Sequence, residues 1–249
     1  MCYKYPKLLL LLMVCTFAGL ILSSCNNNNS VSPAGSTTRI VVVNAIPDIG
    51  PLALLLDNAQ LGGVTAAVAS RTYFRYSTTP AYYSIKAQDS ILFQLQAYPI
   101  KMITKLSSVH STQANTGYTM FLTGLASVDS LFTVFTTDTA ALPSLGHGKI
   151  RFINASPRTP ELNVSINGSV GFSKIGFTKV SNYVEVPAGM YEFKLTANGA
   201  PTNVLNTLSR VTVLDGKLYT LYTKGMVGRI DSAAIGLNVI TNVNALILK

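Results

Sequence analysis

The residues that could carry chemistry are few and scattered. His110 lies in a Ser-rich stretch read as a loop, and His147 lies between glycines in a linker. Neither has a second ligand type at metal-binding spacing, so no metal site is expected. The ten acidic residues occur singly. Glu185 and Glu192, on either side of a turn, are the pair with a route to the two-carboxylate chemistry of glycoside hydrolysis, but on alternating strands such residues line solvated faces. Nucleophile-elbow, phosphate-loop and dinucleotide patterns are missing. The expectation is a protein that is not an enzyme and holds no cofactor. Against this background one stretch stands out, Arg71-Thr72-Tyr73-Phe74-Arg75-Tyr76 followed by Tyr82-Tyr83. Aromatic faces beside guanidinium groups suit stacking on a sugar or docking a protein loop. The competing reading has Phe74 and Tyr76 filling a core while Arg71, Tyr73 and Arg75 line its outside. The lack of any Trp weakens a carbohydrate platform.

Cysteine use points to an address rather than a reaction. Lys4 and Lys7 precede an apolar run, Leu8 to Leu22, that falls short of the roughly 20 residues needed to span a bilayer. Residues 1–24 therefore read as a leader. The run closes on Leu22-Ser23-Ser24-Cys25, which resembles the lipobox of bacterial lipoproteins. That resemblance implies that the Cys25 sulfur is diacylated and that Cys25 becomes the new N-terminus. Cys2 and Cys15 leave with the leader, so no intramolecular disulfide is expected. Residues 25–38 hold almost nothing that could be buried and read as a flexible tether between lipid and fold. They also lack an acidic residue, which leans toward the periplasmic face of the outer membrane and leaves the surface face as the alternative. Loss of Lys4 and Lys7 takes the formal net charge from +9 to +7. The remaining Lys and Arg are spread singly, as on solvated strand faces, which argues against a nucleic-acid partner.

The elements that would position these groups are strands, made twice. Lys149 to Gly168, KIRFINASPRTPELNVSING, repeats Arg39 to Asn58, RIVVVNAIPDIGPLALLLDN. Asn154-Ala155 and Pro157 match Asn44-Ala45 and Pro47, and Leu162, Val164 and Ile166 match Leu52, Leu54 and Leu56, all at an offset of 110. Later matches pair Pro187-Ala188 with Pro80-Ala81 and Tyr219-Thr220 with Tyr118-Thr119. With 48% apolar and 12% charged residues the composition favours sheet. The boundaries read as residues 39–142 for the first domain, 143–148 for a linker and 149–249 for the second. Ile40–Val43, Leu52–Leu56, Tyr73–Tyr76, Tyr83–Ala87, Ile91–Ala97, Tyr118–Thr123 and Leu131–Thr136 are the strands expected in the first copy. In the second, Leu162, Val164 and Ile166 alternate with polar residues and run into Asn167-Gly168, a tight-hairpin signal. Tyr191, Phe193 and Leu195 alternate likewise up to Asn198-Gly199. Gly62–Ser70 is the one place for a short helical turn.

A basic residue, an apolar strand, Asn-Ala-x-Pro, an alternating strand with Asn-Gly, then Pro-Ala-Gly and Tyr-x-Phe (Pro187 to Phe193) together resemble the domain of unknown function family 4397. The resemblance implies a secreted or lipid-anchored bacterial protein of tandem β-sandwiches and carries no catalytic residues. The expected fold is all-β, two tandem Ig-like antiparallel β-sandwiches behind a lipoprotein signal peptide. The expected function is that of a lipid-anchored cell-envelope module, binding or structural, whose partner is an envelope protein or glycan. The alternative is a glycan-binding accessory lipoprotein of an outer-membrane uptake system. Pairing the copies as Tyr76 with Tyr183 and Tyr83 with Tyr191 leaves Tyr73, Arg75 and Tyr82 unshared, and these three are the candidate partner-binding residues.

Overall fold

A computed structural model describes residues 37–49, 52–57, 59–60, 73–74, 80–97, 103–138 and 140–242. The leader, Cys25, most of the tether, Arg75, Tyr76 and Gly62–Ser70 lie outside the described residues. The first copy runs β1 (Thr37–Asn44), β2 (Leu52–Leu56), β3 (Ala59–Gln60), β4 (Tyr73–Phe74), β5 (Ala81–Lys86), β6 (Ile91–Ala97), β7 (Ile103–His110), β8 (Gly117–Leu125), a single 3-10 turn at Ala126–Val128, and β9 (Ser130–Thr137). The second runs β10 (His147–Ile153), β11 (Leu162–Ile166), β12 (Ser169–Ile175), β13 (Val184–Pro187), β14 (Gly189–Ala197), β15 (Ala200–Val213), β16 (Leu218–Lys224) and β17 (Gly236–Thr241). No α-helix occurs among the described residues. The fold is all-β, as expected.

Each copy is a two-sheet sandwich, and the two have one topology. Sheet orders are β5-β1-β8-β9 with β3-β2-β6-β7 in the first, and β13-β10-β16-β17 with β12-β11-β14-β15 in the second; β4 is an extra strand on β2. Within this architecture one pair per sandwich departs from the antiparallel rule, because β1 runs parallel to β8 and β10 parallel to β16. The copies also share local chemistry. Asn44 accepts the Ile46 amide at 3.1 Å and Asn154 the Ser156 amide at 3.1 Å, so both asparagines close the same side-chain turn after the first strand. Leu54 and Val164 are fully buried and pair with Leu95 and Leu195. Tyr118 accepts the Gln113 amide and Tyr219 the Leu214 amide, each at 3.0 Å. Gly124, next to last in β8, and Gly225, just after β16, hold φ at 105° and 75°, where a Cβ would lie 2.0 Å from the Ser130 carbonyl oxygen and 2.2 Å from that of Ala234.

Four sheets stack with three apolar layers between them. Ile40, Val42, Leu54, Phe93, Leu95 and Met120 fill the first sandwich, and Phe152, Leu162, Val164, Phe193, Leu195 and Leu221 fill the second. The third layer joins them: Val41, Val43 and Phe121 of one copy meet Ile153, Tyr222 and Ile240 of the other. The apolar run Ile40–Val43 is thus buried on both faces, with Ile40 and Val42 turned into its own sandwich and Val41 and Val43 into the joint. Ring centroids of Phe121 and Tyr222 are 5.4 Å apart across it. Both sandwiches belong to one compact unit.

The ends of elements differ from expectation in ways that have local causes. Thr37 and Thr38, assigned to the tether, start β1; the buried Thr38 hydroxyl donates to the Thr116 carbonyl at 2.7 Å. His147 and Gly148, assigned to the linker, start β10. The segment before them is strapped down: Glu185 accepts the Ser144 amide at 3.0 Å, Asp215 accepts the Gly146 amide at 2.8 Å, and Lys149 Nζ donates to the Ala141 carbonyl at 2.8 Å. His110 is the last residue of β7 rather than a loop residue.

Candidate functional site

The joint carries a polar lock inside its apolar layer. Arg151 projects from β10 into the space between the two inner sheets and is 5% exposed. Its Nη2 donates to Asp138 Oδ1 at 2.6 Å and to Thr136 Oγ1 at 2.9 Å, its Nη1 to the Thr137 carbonyl at 2.8 Å, and its Nε to Thr220 Oγ1 at 2.9 Å. Asp138, fully buried, also accepts the Thr119 hydroxyl at 2.8 Å. Burial pushes the Asp138 carboxyl up from its ordinary range, against the pull of the Arg151 guanidinium and of hydrogen bonds from Thr119 and Asn242. The Tyr183 ring stacks 5.0 Å from the guanidinium carbon, and burial pushes its phenol up to about 12. Reading Arg151 as one more solvated strand cation is therefore corrected. The Asn154-Ala155 motif serves the same joint, since the Ala155 carbonyl accepts the Thr123 hydroxyl of the first copy and the Ala155 amide donates to Thr223 at 3.0 Å.

At the other end of β8 and β9 from the lock, the two sandwiches form an open cleft of about 360 Å³. Phe132 of β9, 43% exposed, meets Phe177 edge to face at 5.7 Å; Leu125, Val128 and Pro157 complete the apolar wall and Arg158 sits on the rim. Arg158 holds φ at 54°, an unusual conformation for a side chain of its size. Composition and periodicity gave no sign of this cleft. Phe132 was legible only as a strand residue, and Phe177 lies in a turn between β12 and β13 held by backbone bonds within the second copy, from Thr178 to Asn154 and from Lys179 to Gly176.

The residues singled out from sequence fall in different places. Tyr73 lies on β4, whose backbone pairs with β2, but its side chain and all of Arg75 lie outside the described residues. Tyr82 is on β5, 58% exposed, beside a shallow hollow of about 210 Å³ lined by Arg39, Tyr83 and Ser84. The pairing of Tyr83 with Tyr191 is overturned by register. Ile40 faces Tyr83 and Ile150 faces Val184, so Tyr83 corresponds to Val184; one step further, Tyr82 opposite Val41 corresponds to Tyr183 beside Arg151. Tyr82 thus has a counterpart after all, so the pairing of Tyr76 with Tyr183 is overturned as well and Tyr82 is not an unshared residue. Pro187-Ala188 ends β13 where Pro80-Ala81 begins β5, which is why the local sequence match misled. Glu185 and Glu192 stand on different sheets. Hydrogen bonding from Ser144 lowers the first and from Lys194 the second, the opposite of what a general acid needs. Among the described residues no three His, Cys, Asp or Glu side chains gather as metal ligands.

A duplicated eight-strand sandwich topology, fused through the equivalent faces of both copies, defines the class of protein: a tandem-repeat all-β protein. More particularly, the family model described as Domain of unknown function (DUF4397) matches residues 38–165 and 148–246, and the chain belongs to that family. No protein of curated function matches it.

Proposed function

We propose that the protein is a lipid-anchored binding module of the cell envelope, held at the outer membrane through Cys25, and that it binds a partner rather than transforming a substrate. The observation that carries the reading is the cleft at the joint. Neither sandwich has this hollow alone, and it holds a partly exposed Phe132 against Phe177 with Arg158 at the rim. Domain junctions favour binding sites, and aromatic and Arg side chains dominate binding energy where they occur. A rigid four-sheet body on a tether suits a module that presents a preformed surface at a distance from the membrane. A photo-reactive phenylalanine analogue at position 132 should cross-link an envelope component that the same group at the exposed Val170 does not. Equal labelling at both positions would count against the cleft. The Tyr73, Arg75 and Tyr82 region is a second proposed contact. Replacing all three by Ala should shift stability by no more than about 0.5 kcal/mol per site and weaken partner binding by at least about 2 kcal/mol. A large fall in melting temperature with binding intact would make them packing residues.

The anchor has its own test. Cys25→Ser should abolish fatty-acid labelling and move the protein from the membrane to the soluble fraction, because two acyl chains hold a protein where one is marginal. Wild-type protein that stays on the membrane without incorporating label would remove the lipoprotein reading. The alternative, a glycan-binding accessory lipoprotein of an outer-membrane uptake system, is favoured by a different observation, the uncharged pocket at the end of the first sandwich.

A further inference from the structure

We infer that the pocket at the open end of the first sandwich binds a neutral, hydroxyl-rich ligand of the size of one or two sugar rings. The pocket measures about 460 Å³, within the roughly 300–1,000 Å³ of small-molecule sites. Its hydrogen-bonding wall is Ser111, Gln113, Thr116 and Thr137, each able to donate and accept, with no carboxylate, ammonium or guanidinium among the residues that line it. Its other wall is aromatic: Phe135 is stacked between His110 at 4.3 Å and Tyr118 at 5.0 Å, and Phe93 lies 5.7 Å behind His110. The rings stack on one another, so the pocket offers mainly polar surface with ring edges beside it, which matches a ligand rich in neutral hydroxyls.

The second sandwich provides the comparison. Tyr118 corresponds to Tyr219 by the hydrogen bond each accepts from the backbone. Ile91 pairs with His110 as Tyr191 pairs with Val211, and Tyr118 pairs with Thr137 as Tyr219 pairs with Thr241. His110 therefore corresponds to Val211 and Phe135 to Val239. At the rim Gln113 corresponds to Leu214, and Thr116 to Lys217, whose carbonyls accept the Arg39 and Lys149 amides. One topology thus carries an aliphatic contact with a Leu and Lys rim in one copy, and an imidazole, a phenyl ring and an uncharged polar rim in the other. The second sandwich keeps the same topology with the aliphatic set. Burial also lowers the His110 pKa, keeping the imidazole neutral and able both to donate and to accept; its Nε2 lies 3.2 Å from Ser108 Oγ.

The inference rests on the binding-module reading only in taking the protein to bind rather than transform its ligand; it needs neither the lipid anchor nor the joint cleft. The test is full-length protein in detergent applied to a printed array of neutral and acidic oligosaccharides. Retention on neutral saccharides is expected. His110→Val, which imports the residue of the second copy, should weaken it at least tenfold, and so should Gln113→Ala. Gln113→Ala removes an exposed amide while leaving the backbone bond to Tyr118, so it separates lost binding from lost fold. No retention on any saccharide, stronger retention on acidic ones, or wild-type retention by folded His110→Val and Gln113→Ala would overturn the inference. Any of these would leave cross-linking at position 132 unaffected.

Discussion

Asp138→Ala is expected to cost about 3–5 kcal/mol of unfolding free energy, because it strands the Arg151 guanidinium without its carboxylate inside the joint. The side chains of the pair are 6% and 0% exposed, so water cannot take over. The size of the effect would not measure the worth of the ion pair. Removing both partners as Asp138→Leu with Arg151→Val should recover part of the loss, since the first copy already has Val41 at the place of Arg151. Recovery would be incomplete, because Thr220 Oγ1, Thr136 Oγ1 and the Thr137 carbonyl each lose the donor that Arg151 supplied, a loss costing about 1–3 kcal/mol when buried. Unfolding free energies of Asp138→Leu, of Arg151→Val and of the double variant, from denaturant titration, give the coupling directly. A double variant no more stable than Asp138→Ala would mean that the buried charge is not the source of the cost.

Phe121→Ala is expected to cost a similar amount, about 3–5 kcal/mol, and to change how the molecule unfolds as well as when. Phe121 is fully buried in the layer that the two sandwiches share, against Tyr222. A cavity there weakens the contact through which each sandwich stabilises the other. Calorimetry of the wild type should give one cooperative transition, and of Phe121→Ala two. Phe93→Ala supplies the contrast: the ring is as large and as buried, but it lies inside the first sandwich. That variant should lose comparable stability without the same separation of transitions. Identical calorimetric profiles for the two variants would show that the joint does not couple the sandwiches.

Much of the strand layout could be read from residue order because strand faces alternate and turns have their own chemistry. β2, β6 and β11 fall where the runs Leu52–Leu56, Ile91–Ala97 and Leu162–Ile166 place them, and Asn167 and Gly168 take the positive φ values, 48° and 84°, that the hairpin needs. β7 escaped because Ile103, Leu106 and Val109 recur every third residue, which is not a strand period. A break in register opposite Leu95 and Gln96 separates Ile103 from Leu106, and Val109 is simply an outward residue, 60% exposed. His110 was consequently read into a loop, and the pocket it walls could not be foreseen.

Residue order alone established an all-β chain made twice, with Asn44 and Asn154, Leu54 and Val164, and Tyr118 and Tyr219 in matching places. These are local or nearest-strand properties, set by side-chain period and turn geometry. It could not say what the outer face of β1 or β10 meets, because alternation reveals which residues share a face and is silent about what covers that face. Val41 and Val43 looked like one half of a buried strand and Arg151 like a solvated cation. Only the stacking of the two inner sheets brought Ile153 and Tyr222 onto the valines and Asp138 onto the arginine. The same long-range placement put Phe132 beside Phe177 and His110 beside Phe135, from segments that carry no common pattern in the sequence.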